Sequence, residues 1–168
     1  ADFDNYLQLH MEVNRLDRSG RTISRQRLAE DLGHPNFHPE NDLFVAERGS
    51  RIIGYAGAFI EAELKRVLLE CMIHPLHRKK GIATELIGHA IRHAEAAVSK
   101  VAQANVPEIN LPARNLVSRL GFQFIRYFHE LKLAGASVDN KSTLLEAALA
   151  FALDDLDRGE NSLVLKRL

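Results

Sequence analysis

A chain of 168 residues has the length of one compact domain and buries roughly 70% of its unfolded surface, so it needs no disulfide or metal to hold it together. Its 22 basic and 22 acidic side chains cancel, which excludes a general electrostatic grip on nucleic acid, and a 46% hydrophobic, 26% charged composition excludes a disordered chain. One cysteine excludes an internal disulfide, and no apolar run approaches the ~18 residues of a membrane span. Ala1-Asp2-Phe3-Asp4 lacks the basic-then-apolar pattern of a signal peptide, so a soluble cytoplasmic protein is expected.

In chain order, Phe3, Tyr6, Leu7, Leu9, Met11, Val13 and Leu16 recur at a mostly helical spacing and predict a first helix that ends near Ser19-Gly20. A second helix is expected from Thr22 or Ser24, whose hydroxyls can cap it, to Gly33. Residues 24–33 also look like the first half of a helix-turn-helix. Pro35, Asn36, Phe37 and Pro39 occupy the place of the turn and recognition helix, which argues against DNA recognition. Strand periodicity follows over residues 43–47, 51–60 and 66–74, with Arg48-Gly49-Ser50 as a hairpin turn and Pro75 as a stop, giving an antiparallel meander. A long helix is predicted over 81–99, with Ile82, Leu86, Ala90, Ile91, Ala94, Ala97 and Val98 on its apolar face. A short strand (101–106), a short helix (112–120) and a strand (122–133) come next. The remaining residues, 134–168, read as a loop, an amphipathic helix (142–156) and a terminal strand (162–166). The layout is α/β (α+β), with residues 1–168 forming one domain.

The sharpest local feature is Ile73-His74-Pro75-Leu76-His77-Arg78-Lys79-Lys80-Gly81-Ile82-Ala83-Thr84, where a strand stops at proline and a basic, glycine-containing turn opens a long helix. Unpaired amides at a helix amino terminus, approached closely over Gly81, form an anion site. The positive charges of Arg78, Lys79 and Lys80 oppose the helix dipole unless an anion sits there. A solvated basic turn is the plain alternative. The second feature is Asn110-Leu-Pro-Ala113-Arg-Asn-Leu116-Val-Ser-Arg-Leu120-Gly121-Phe122, a short helix that runs into a Leu-Gly-Phe stop.

Together these segments resemble the GNAT superfamily of N-acetyltransferases. Ile73, Pro75, Arg78, Gly81 and Ala83 match its Val-x-Pro-x-x-Arg-x-x-Gly-x-Gly/Ala signature, and Asn110, Ala113, Leu116, Gly121 and Phe122 match its Asn-x-x-Ala-x-x-Leu-Tyr-x-x-x-Gly-Phe signature. The resemblance spans about residues 43–133. It implies a GNAT-like, mixed but mostly antiparallel sheet, flanked by helices and splayed open after the strand ending at Ile73. Acetyl-coenzyme A would lie in the split as acetyl donor, its pyrophosphate on the amides of Lys79, Lys80, Gly81, Ile82, Ala83 and Thr84, with Asn110 nearby. Its pantetheine arm would pair with the main chain of Cys71, Met72 and Ile73. Glu70 falls where many members of the family carry a carboxylate toward the acceptor, and would deprotonate or orient a primary amine; an exposed edge carboxylate is the alternative.

Two departures stand out. The family usually places Tyr, the acid for the leaving thiolate, where this chain has Val117; Tyr127 is the candidate substitute, with packing as its plainer role. The family also usually opens with a short strand, whereas this chain begins in a helix, as a trimmed terminus or a fragment of a longer or tandem protein would. The implied activity is acetyl transfer from acetyl-coenzyme A to an amine, small-molecule or on a protein or peptide. The alternative is a non-catalytic acetyl-coenzyme A binding module, or the inactive half of a tandem protein. Neither nucleic acid nor membrane is an expected partner, and a homodimer is compatible. His89 and His93 share a helix face but have no evident third ligand, so no metal is expected. Cys71 reads as a small buried hydrophobe, and Asp154, Asp155, Asp157 and Glu160 as a solvated helix end and loop.

Overall fold

A computed structural model describes residues 2–19, 23–97 and 100–127. The chain divides into two compact units, one of residues 1–123 with 165–168 and one of residues 124–164. In the first, α1 (Asp2–Asp17), α2 (Arg25–Leu32) and α3 (Pro39–Asp42) precede the sheet. The strands β1 (Leu43–Arg48), β2 (Arg51–Glu61) and β3 (Arg66–Ile73) follow, then α4 (Ile82–Ala96), β4 (Val101–Ala104) and α5 (Leu111–Arg119). The sheet order is β1-β2-β3-β4, with β4 the parallel member and the other pairs antiparallel. This mixed, open, helix-flanked sheet is the expected architecture.

Local chemistry explains the element ends. The Ser24 hydroxyl accepts from Arg27 N at 3.1 Å and starts α2, and Gly33 closes it. Asn110 does the same for α5, accepting from Ala113 N at 3.2 Å. The long helix closes at Ala97, earlier than its apolar pattern predicts, and Ala97 is exposed. Its buried stripe is Leu86, Ile87, Ala90, Ile91 and Ala94, so Ile87 replaces the expected Ala97. The strand predicted over 101–106 stops at Ala104, and residues 122–127 hold an isolated bridge at Gln123 in place of a strand. The elements predicted beyond residue 127, and the carboxylates near 154–160, fall outside the described residues.

The core has two layers. On one sheet face, Tyr6, Leu9 and Val13 of α1 and Leu28 of α2 bury against Ile52 and Tyr55 of β2, with Met72 at the margin. Ile52 and Tyr55 are three residues apart, which alternation would send to opposite faces. The pairing Ala46↔Gly54 followed by Glu47↔Ile52 makes Ile53 an extra residue, a bulge that returns Ile52 to the α1 side. On the other face, small side chains at Ala56 and Ala58 leave room for α4, whose stripe covers Val67 and Leu69 of β3. Burying each large aliphatic side chain is worth about 1.5–3 kcal/mol, so these layers dominate the stability of the unit.

The buried polar groups are mostly tied. Asp42, 4% exposed, accepts from His38 N at 2.8 Å and holds His93 Nε2 at 2.7 Å, which joins α3 to α4. His93 is thus a structural strut, and among the described residues no group of three metal-binding side chains converges. His10 is different. It is 7% exposed and its Nε2 has no hydrogen-bond partner. In the second unit, residues 124–127 are described, and there the Phe124 and Tyr127 rings meet edge to face at 5.0 Å.

Candidate functional site

The parallel pairing of β3 with β4 runs from Arg66↔Val101 to Leu69↔Ala104 and then ends, while β3 continues four residues to Ile73 still paired with β2. Residues 70–73 therefore have an open edge. Backbone groups alternate sides along a strand. His74 N donates to Ile53 O on β2 at 2.9 Å, so the amides of Cys71 and Ile73 face the opening and those of Met72 turn toward β2. A cleft of about 1440 Å³ fills the gap, lined by Glu70, Cys71 and Ile73 on one wall and by the chain after β4 and α5 on the other.

At one end of this cleft lies the basic turn. Lys79 and Gly81 adopt left-handed backbone conformations, φ 61° and 83°. Alternating conformations of this kind converge successive amides on one point. A Cβ built on Gly81 meets nothing within 4 Å, so glycine is required there by its backbone angle and the space before it is open. Whereas α2 and α5 carry side-chain caps, α4 has none at Gly81. The free donors of its first turn, at Ile82, Ala83 and Thr84, thus border the cleft, together with a partial positive charge of the helix dipole.

Charged side chains hold this turn in place. The Arg78 guanidinium donates to both Asp17 carboxylate oxygens, at 2.9 and 2.5 Å, and its Nε donates to Ile73 O at 3.0 Å. His74 Nε2 lies 3.1 Å from Glu12, and His74 Nδ1 accepts from Leu76 N. Gln8's amide, helped by His74, holds the Glu12 carboxyl below its ordinary value. The end of β3 and the basic turn are thereby tied to α1. Lys80 donates to Leu76 O at 3.3 Å, and neither Lys80 nor Met72 lines the cleft. Asn110 does, with its side chain engaged as the α5 cap.

Cys71 is a correction to the sequence reading. It is exposed rather than buried, because β4 stops opposite Leu69 and leaves the thiol facing the cleft. Crowding by surrounding protein, with the charge of Glu70, pushes its pKa up to about 12, the opposite of the lowering that activates a thiol. Val117 is 6% exposed at the cleft wall, and Phe122 N donates back to Val117 O at 3.0 Å.

Glu70 borders a second cleft as well, of about 500 Å³, beneath α1 and α2. No other described residue lines both. The floor of this second cleft holds three aromatic rings that sequence reasoning passed over: Tyr6–His10 at 4.6 Å, Tyr6–Tyr55 at 4.9 Å and His10–Tyr55 at 5.3 Å. The readable signal was the spacing of Tyr6 and His10, one helical turn apart. Burial, reinforced by the charge of Glu70, pushes both phenols above their ordinary value. The Tyr55 hydroxyl, although close enough to Tyr6 to influence its ionisation, meets no partner at hydrogen-bonding geometry.

The family described as Acetyltransferase (GNAT) matches residues 7–122, which take in the basic turn and every residue lining the two clefts except Tyr6. Among solved structures, the GNAT domain of PAT from S. lividans is 14% identical, with a TM-score of 0.65 over 99% of this chain and 84% of that one. The ribosomal-protein-S18-alanine N-acetyltransferase from Escherichia coli is 14% identical, with a TM-score of 0.62 over 98% and 84%. YncA from Salmonella typhimurium, solved with its cofactor acetyl-CoA, is 17% identical, with a TM-score of 0.54 over 87% and 73%. No curated protein sequence matches the chain.

One consequence of the aromatic floor can be measured as stability against pH. Burial lowers the pKa of His10 from 6.5 to about 4, so its neutral form is favoured by the fold. This contribution is whole above pH ~6.5 and is lost as the pH falls toward ~4, by about 3 kcal/mol in all. In urea melts at neutral and acid pH, His10→Phe is expected to remove that part of the acid destabilisation. An unchanged difference between the two pH values would contradict it.

Proposed function

The chain belongs to the GNAT acetyltransferase family and is an acetyl-CoA-dependent N-acetyltransferase, and from that premise we propose that it moves acetyl directly onto a primary amine held beside Glu70. The observation that carries this reading is the adjacency of an uncapped helix terminus, a left-handed backbone cradle and the open edge of β3. A pyrophosphate fits that cradle, where Gly81 presents no side chain and the first-turn amides of α4 lack acceptors. Lys79 and Lys80 add positive charge, and the Arg78 side chain serves by fixing the turn against Asp17. An extended arm laid along residues 71–73 finds the amides of Cys71 and Ile73, an added-strand mode of recognition.

Bound acetyl-CoA supplies an activated thioester with a thiol leaving group. An amide on the β3 edge is placed to donate to the carbonyl oxygen as negative charge develops there. Glu70, shared by the two clefts, orients the amine and accepts its proton, directly or through water. Val117 has no proton to give the departing thiolate. Tyr127 is the candidate acid, and a thiol of pKa ~8.5 is also a tolerable leaving group without help.

Release of free thiol on addition of amines tests the reading as a whole, because a binding module would take up acetyl-CoA without turnover. Glu70→Gln should lower turnover by about 10² and leave acetyl-CoA affinity unchanged; equal rates at every pH would return Glu70 to an edge carboxylate. Gly81→Asp places a strained Cβ and a negative charge in the cradle. It should abolish the thermal stabilisation by acetyl-CoA, which for the unmodified chain reaches about 2.7 kcal/mol at a hundred times Kd. Tyr127→Phe should lower turnover by about 10² if its hydroxyl protonates the thiolate, and unchanged turnover assigns that proton to water.

A further inference from the structure

We infer that Asp17, an acid outside the first cleft, is a positioning residue for coenzyme binding, so that removing its negative charge weakens the hold on an anionic ligand; this rests on the reading of that cleft as the seat of acetyl-CoA. Coulomb's law alone gives the opposite sign, since an acid near an anion opposes it. The two expectations therefore separate cleanly. What favours the first is the way Asp17 acts through Arg78, the basic residue that does line the cleft.

All three nitrogens of the Arg78 guanidinium are engaged. Nη1 and Nη2 donate to the two Asp17 oxygens at 2.9 and 2.5 Å, and Nε donates to Ile73 O at 3.0 Å. The group is planar and rigid, so fixing two of its corners on the carboxylate directs the third. Ile73 O belongs to the peptide that leaves β3, and the N–H of that same peptide, on His74, donates to Ile53 O at 2.9 Å. A trans peptide points its carbonyl and its N–H to opposite sides. One side of this peptide is thus held by β2, and the other, on the open edge, by Arg78. An arm that pairs along residues 71–73 meets an edge whose end is already set. Without Asp17, the long arginine and the peptide it holds would have to be ordered when the coenzyme arrives, which opposes binding.

The end of α1 carries a second, independent sign of this role. Asp17 is the last residue of the helix, at the pole where the helix dipole favours a cation. The residue after it is strained. Arg18 adopts a left-handed backbone, φ 52°, in the place usually given to glycine, and Ser19 N closes the turn on Asn14 O at 3.2 Å. Asp17 is not part of the core cluster that α1 forms with α2 and β2, so packing does not call for it. Local features this unfavourable persist where a binding site requires them, and the bond to Arg78 supplies the requirement. The Glu12–His74 contact ties α1 to the same turn independently, so loss of Asp17 leaves the two attached.

The test is calorimetric titration of the full chain with acetyl-CoA, a readout that does not depend on turnover. Asp17→Asn is expected to weaken Kd about tenfold, on the scale of one charge-assisted pair. With any amine that is acetylated, the same variant should raise KM for acetyl-CoA and leave kcat nearly unchanged. Arg78→Lys keeps the positive charge and loses the fork, and should weaken Kd about as much as Asp17→Asn. The two substitutions together should add little to either alone, because each breaks the same bracket. Asp4→Asn, which breaks the exposed pair with Arg25 near the other end of α1, should leave Kd as it was. An unchanged or tighter Kd in Asp17→Asn, full affinity in Arg78→Lys, additive losses in the double variant, a loss confined to kcat, or an equal loss from Asp4→Asn would each overturn the inference and leave the coenzyme site standing. Failure of the unaltered chain to bind acetyl-CoA instead removes the reading on which it rests.

Discussion

Everything that gives this chain a site follows from where β4 stops pairing with β3. Had the parallel ladder continued past Leu69↔Ala104, the amides of Cys71 and Ile73 would be satisfied by the neighbouring strand and the cleft would close. Exposed strand edges are ordinarily hazards, since they invite pairing with other chains. Here the edge is four residues long and lines one cleft together with α5 and the uncapped start of α4. Its shortness and setting restrict what can pair with it to something narrow and extended.

The ties between α1 and the basic turn set a second constraint. Arg78 reaches Asp17 with two hydrogen bonds while its Nε holds Ile73 O, and His74 bridges to Glu12. A bidentate guanidinium–carboxylate pair fixes orientation more firmly than an isolated ammonium contact. The same helix supplies Tyr6 and His10 to the aromatic floor of the second cleft. The two clefts are therefore joined through α1 as well as through Glu70.

The sequence was readable where local chemistry decides structure. Ser24, Gly33, Gly49 and Asn110 each mark a boundary by a cap or turn preference, and those boundaries lie within a residue or two of their expected places. The two signature segments pointed to the family, and the left-handed, uncapped turn at Gly81 followed from the strand-turn-helix pattern. Long-range pairing was harder to read. Nothing in Val101-Ala102-Gln103-Ala104-Asn105-Val106 says that its ladder ends at Ala104, and so the exposure of Cys71 was hidden. Nor could spacing reveal that Arg78 would find Asp17, 61 residues away, or that the charges of Asp31 and Glu70 would both act on Tyr6. These contacts depend on how the layers stack, which a pattern of apolar residues specifies only by face.

The bulge at Ile53 links the hairpin to the end of β3 beside the first cleft. Its carbonyl receives His74 N, so the extra residue that returns Ile52 to the α1 layer also anchors the last rung of β3 before the basic turn. Deletion of Ile53 would restore plain alternation, with Ile52 following Gly54 and keeping its place on the α1 side, but it would remove the carbonyl on which the end of β3 rests. Changes in chain length within this hairpin are thus not equivalent. The Gly49-Ser50 tip can lengthen at little cost in loop entropy, whereas a change at position 53 reaches the hydrogen bond that holds the end of β3.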